Sequence, residues 1–128
     1  MREVIFIAAA GALGALGRWS VYNAAEKFLG LGFPHGTFIA NILGCFALGF
    51  VMHTAITAEV IPDVWRLAIT VGFLGAFTTF STFSYETVKY IQDGVWFMAF
   101  SNIAANLIIG LAATFAGLTA AGLIFNKG

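Results

Sequence analysis

The sequence predicts an all-α membrane protein with four transmembrane helices, and three observations predict it. Of 128 residues, 60% are hydrophobic and only 9% charged, too few charges to cover the surface of a soluble domain. Apolar stretches recur four times along the chain, each reaching the ~20 residues that a helix needs to cross the hydrocarbon core. Short segments rich in Gly, Pro and charge separate them. The spans and their connections use up the chain, so residues 1–128 read as one four-helix domain with no separate enzyme domain. The net charge is zero, which leaves no basic footprint for nucleic acid.

The first helix reads from about Val4 to Tyr22, with Glu26 and Lys27 marking water. Arg2 and the small residues Ala8, Ala9 and Ala10 resemble a secretory signal, but the apolar run continues through Leu13 and Leu16 to Val21, so it reads as a retained span. Gly30 to Gly36, with Pro34, forms the first loop. The second helix reads from about Thr37 to Ala55. Glu59, Pro62 and Asp63 punctuate the second loop. The third helix reads from about Val64 to Tyr90, longer than one span requires, and Asp93 and Gly94 end it. The fourth reads from about Trp96 to Phe125, with Asn126 and Lys127 at its exit. Trp19, Trp65 and Trp96 fall near predicted ends, where an interfacial aromatic belt belongs. Cys45, the single cysteine, sits inside an apolar run and reads as a small packed residue.

Charge bears on orientation. Four spans put Arg2, Arg66 and Lys127 on one side, against Lys27, Lys89 and the nearby Arg18 on the other. The positive-inside rule then has almost nothing to act on. Such a chain is a candidate for insertion both ways up, and two copies so inserted can pair as an antiparallel dimer. The competing reading is that a small bias or a partner fixes one orientation.

The spans are not inert anchors. Many of the 15 glycines lie inside them, and small residues let helices approach closely in lipid. Thr37 and Asn41 lie four apart on the second helix, and Asn102, Asn106 and Gly110 form a stripe at the same spacing on the fourth. Asn is costly in hydrocarbon unless partnered, so these residues read either as interhelical glue or as the lining of a polar path. Arg18 is either a side chain snorkelling to the headgroups or a fixed positive charge in a wet vestibule. Glu86 is the one acidic residue well inside a span. Neutral donors with a nearby cation suit an anion better than a proton-coupled cation.

The third span holds GFLGAFTTFSTFSYE at residues 72–86. Glycine with β-branched and hydroxyl residues weakens a helix. A break there frees backbone carbonyls, which are hard ligands suited to an alkali cation. Phe77, Phe80 and Phe83 recur every third residue and roughly share a face. Their positive ring edges suit an anion, although on spacing alone an aromatic packing stripe is the better fit.

The run TTFSTFS at 78–84 followed by Glu86, GTFIAN at 36–41 and GRW at 17–19 together resemble the CrcB/Fluc family of fluoride channels, over the whole chain and in motif order. The resemblance implies passive fluoride export through a dual-topology antiparallel homodimer in the cytoplasmic (inner) membrane of a bacterium. It implies a fluoride pathway lined by Asn41, Phe80, Phe83, Ser81, Thr82 and Asn106, with Thr37 and Asn102 further along it. Arg18 corresponds to a vestibule arginine, and Glu86 falls beside the same entrance. Gly75 and Thr78 match backbone-carbonyl ligands of a structural sodium ion (Na+) shared across the dimer axis; no organic cofactor is implied. Two other classes share parts of the pattern. A small multidrug exporter relies on a carboxylate within the first helix, whereas Glu3 stands at its very start. A non-transporting membrane scaffold accounts for the glycines but not for the polar stripe.

Overall fold

The computed structural model describes residues 1–125. Asn126 and Lys127, read from the sequence as the exit of the fourth helix, lie outside the described residues. Four helices are long and apolar enough to cross a membrane: α1 (Arg2–Leu29), α2 (His35–Thr57), α3 (Asp63–Gln92) and α4 (Trp96–Phe125). The chain is a multi-pass membrane protein.

The bounds of α4 match the sequence reading, but α1 continues past Tyr22 to Leu29. Ala24, Ala25, Glu26 and Lys27 are good helix formers, and Lys27 in the last turn complements the helix dipole. Gly30, at φ 80°, ends the helix in a backbone region that favours glycine. Arg18 therefore lies about three turns inside α1 rather than near its end.

Two seams hold the bundle, α2 on α4 and α1 on the first half of α3. In each, a glycine on either helix meets a backbone carbonyl of the other. A Cβ on Gly117 would strike the Phe46 carbonyl, and one on Gly49 the Thr114 carbonyl. A Cβ on Gly14 would strike the Phe73 carbonyl, and one on Gly72 would come within 2.8 Å of the Ile7 carbonyl oxygen. Lipid supplies no hydrophobic force between helices, so close backbone contact carries the association.

The α-helical geometry of α3 stops after Phe77 and resumes at Phe80. Thr78 (φ −90°, ψ 159°) and Thr79 (φ −152°, ψ 122°) are extended. Two further stretches widen to π-helical turns, Ala68–Leu74 ahead of this interruption and Ala105–Ile109 in α4. The interruption corrects the reading of three phenylalanines on one face, because a shared i, i+3 face requires a continuous helix. Phe77 instead stacks on Phe73 at 5.7 Å between centroids and packs against Gly17 of α1. Phe80 and Phe83 remain together, their rings 5.5 Å apart and tilted by 56°.

Gly117→Leu is expected to force α2 and α4 apart at a cost of about 1–3 kcal/mol, read as a lower thermal midpoint in detergent. Gly32→Ala, where an added Cβ meets nothing within 4 Å, is expected to leave that midpoint unchanged.

Candidate functional site

The site is built around the two extended threonines. The Asn41 side chain reaches from α2 and takes both polar groups of the Thr79 backbone. The Thr79 amide donates to Asn41 Oδ1 at 2.8 Å, and Asn41 Nδ2 donates to the Thr79 carbonyl at 3.0 Å. Gly44, one turn further along α2, leaves room for the Thr78 methyl group. The Thr79 hydroxyl then caps the second half of α3 by accepting from the Thr82 amide at 3.2 Å. It also lies within hydrogen-bond distance of the Ser81 and Thr82 hydroxyls.

These bonds have a consequence for the backbone of α3. In a continuous α-helix the amides of Thr79 and Thr82 would bond the carbonyls of Gly75 and Thr78, four residues earlier. Here both amides are given to side-chain oxygens. The interruption leaves the carbonyls from Gly75 to Thr78 without their helical donors, and those of Gly75 and Thr78, which the sequence reading associates with sodium, are among them. As hard oxygen donors they fit an alkali cation.

A cavity of about 300 Å³ opens beside this junction. Asn41, Gly75, Thr78, Phe80, Phe83 and Asn106 all line it, and Cys45 completes part of the α2 wall. Phe83 is 8% exposed, whereas Phe80 is 76% exposed at the rim. Asn106 enters from the π-helical turn of α4, and its Oδ1 accepts from Asn41 Nδ2 at 3.1 Å. Asn106 Nδ2 bonds the Asn102 backbone carbonyl at 2.9 Å, taking up part of a helix acceptor where the helix widens.

The remaining expected residues lie elsewhere. Thr37 and Glu86 line a second cavity of about 220 Å³, with Tyr22, Glu26, His35 and Tyr90, near the first loop. Thr37 donates to Glu86 Oε1 at 2.6 Å, and its hydroxyl lies 3.3 Å from that of Tyr22. Glu86 Oε2 is buried and, among the described residues, has no hydrogen-bond partner. Asn102 is 0% exposed and stands behind Asn106 instead of lining either cavity. Ser81 is exposed, and Thr82 half-buried, on the turn that begins the second half of α3. Arg18 is half-buried on α1 and borders neither cavity.

The family described as "CrcB-like protein, Camphor Resistance (CrcB)" matches over residues 5–118. The chain belongs to the CrcB family. It is 50% identical over 117 residues to the "Fluoride-specific ion channel FluC" of Dehalococcoides mccartyi (strain CBDB1), covering 91% of this chain and 90% of that one. It is 40% identical over 121 residues to the protein of the same name from Geobacter metallireducens, covering 94% and 98%. The corresponding protein of Citrifermentans bemidjiense is 38% identical over 121 residues.

Sequence reasoning missed three residues of this CrcB-family site: Thr79, Thr87 and Tyr22. Thr79 carried one usable signal, since a threonine ahead of a restarting helix is a favoured N-cap. Thr79→Ala is expected to lower stability by about 1 kcal/mol through loss of that cap, with Thr79→Ser close to wild type, both read from thermal unfolding in detergent.

Proposed function

We propose that the chain is a fluoride-selective channel that passively releases fluoride across the cytoplasmic membrane, lowering its concentration in the cell. The observation that carries the reading is the meeting of Asn41, Asn106, Phe80 and Phe83 in one cavity, in a family whose relatives are named fluoride channels. A channel changes no covalent bond, so the chain is not an enzyme.

Fluoride is small and strongly hydrated, and a pathway must replace its lost water with donors. The amides of Asn41 and Asn106, whose N–H groups bond protein oxygens until an anion takes their place, and the hydroxyls of Ser81 and Thr82 are neutral donors. The edges of Phe80 and Phe83 add weak positive potential. No full charge grips the ion at this point, so it leaves as readily as it arrives. Thr37 and Glu86 form a second polar station, and Arg18 supplies positive charge on the α1 side.

The working unit in this proposal is two chains inserted in opposite senses. The balanced lysines and arginines support it, as does Phe80, an exposed aromatic ring at the rim of the cavity. The interruption of α3 then lies at mid-membrane depth, where irregular backbone is tolerated only inside protein or a wet cavity. A sodium ion would be held by the carbonyls of Gly75 and Thr78 and would supply fixed positive charge between the chains.

Purified protein in liposomes is expected to release fluoride far faster than chloride; equal rates for the two anions would exclude the reading. Protein prepared with N-methylglucamine in place of sodium is expected to release fluoride more slowly, with sodium restoring the rate in the same efflux assay.

A further inference from the structure

Three side-chain amides, one hydroxyl and two backbone groups form a single directed chain of hydrogen bonds. The Thr79 amide donates to Asn41 at 2.8 Å, Asn41 to Asn106 at 3.1 Å, and Asn106 to Asn102 Oδ1 at 3.0 Å. Asn102 Nδ2 donates to the Thr87 hydroxyl at 3.0 Å, and Thr87 donates to the Phe83 carbonyl at 2.9 Å. The chain leaves α3 at Thr79, crosses α2 and α4, and returns to α3 at Phe83. It begins and ends on the segment that carries Phe80 and Phe83.

Its direction is fixed from the Thr79 end, and the Phe83 carbonyl serves as the final acceptor. A backbone N–H only donates and a backbone carbonyl only accepts. Asn41 must therefore turn its oxygen to Thr79 and its NH2 group to Asn106. Asn106 must then offer its oxygen to Asn41 and its NH2 to Asn102. Asn102 in turn must offer its NH2 to Thr87, whose one proton goes to Phe83. Turning Asn41 or Asn106 over would set donor against donor and acceptor against acceptor at its contacts, and turning Asn102 over would set its NH2 group against that of Asn106.

We infer that Thr87 and Asn102 are positioning residues for anion conduction, holding the Asn106 amide in the cavity wall without lining the cavity. Both are buried, with Asn102 0% and Thr87 7% exposed, and neither borders the cavity. A reversed Asn106 amide would set its oxygen against the two Asn102 oxygens and its NH2 group against that of Asn41, opening the network in the cavity wall. The Thr87 hydroxyl accepts from the Asn102 amide and donates to the Phe83 carbonyl. Its removal leaves Asn102 Nδ2 without that acceptor, so the Asn102 amide is free to turn and Asn106 Nδ2 keeps only the Asn102 backbone carbonyl. Bonds in such a chain polarise one another, so the effect of breaking one link is felt at the others.

This inference rests on the channel reading, and the test separates the two. Fluoride efflux is measured from liposomes holding equal amounts of wild-type, Thr87→Val, Thr87→Ser and Asn102→Leu protein, each monodisperse before reconstitution. Thr87→Val keeps the shape and loses the hydroxyl, and is expected to slow fluoride release by about tenfold or more, as when a buried polar group loses its partner. Thr87→Ser keeps the hydroxyl and is expected to stay within about twofold of wild type. Asn102→Leu is expected to match Thr87→Val, and the double variant to be no slower than either, because one broken link already frees the chain. If Thr87→Val aggregates, Asn102→Leu reads the same chain from its other side. Wild-type rates in both apolar variants would overturn the inference, as would Thr87→Ser as slow as Thr87→Val. A wild-type protein that releases no fluoride would overturn the channel reading and this inference with it.

Discussion

The pair of hydrogen bonds between the Asn41 side chain and the Thr79 backbone is the constraint on which the rest of the site depends. An interrupted helix leaves amides and carbonyls without partners, and each such buried group costs about 1–3 kcal/mol. Water would satisfy them at a protein surface; hydrocarbon cannot. Asn41 resolves the problem because a carboxamide is complementary to a peptide group, offering one acceptor and donors side by side. Once Thr79 is held, Thr79 itself caps the second half of α3, Phe80 and Phe83 are rotated away from Phe77, and the carbonyls of Gly75 and Thr78 lose their helical donors.

The glycine seams and the polar junction are two parts of one solution. Gly14 and Gly72 bring the first half of α3 against α1, while Gly49 and Gly117 bring α4 against α2. Those contacts are close enough for Asn41 to bond Asn106 and Thr79 at once. A bundle of larger residues would separate the helices beyond hydrogen-bond reach, and the asparagines would become buried liabilities. The outcome is a largely apolar cavity with two carboxamides and two phenylalanines in its wall, held by a network that spans three helices.

Much of this architecture was legible in the sequence. Hydropathy gives four spans, and Trp96 and Phe125 bound α4 as read. The end of α1 was less legible, because Glu26 and Lys27 look like solvent-exposed residues yet propagate a helix well. At the site, Asn41 and Asn106 stand out because amides are costly in hydrocarbon, and the TTFSTFS run marks the interruption. Phe77 was misplaced because periodicity presumes a continuous helix, and only Thr78 and Thr79 reveal that it is not. Thr87 was illegible, and Thr79 legible only as an N-cap, for a different reason. Threonine is common in helices, bonding its own preceding turn, and the importance of these two lies in which backbone and amide groups they meet.

The central claim is that the Asn41 amide closes the α3 junction and that its NH2 group, shared between the Thr79 carbonyl and Asn106 Oδ1, is needed for anion passage. Asn41→Asp tests it most directly, since the aspartate keeps the shape and the acceptor for the Thr79 amide but loses the NH2 group. In liposomes at neutral pH, with wild-type protein conducting beside it, Asn41→Asp should release fluoride more slowly by about tenfold or more. Fluoride release at the wild-type rate would contradict the account.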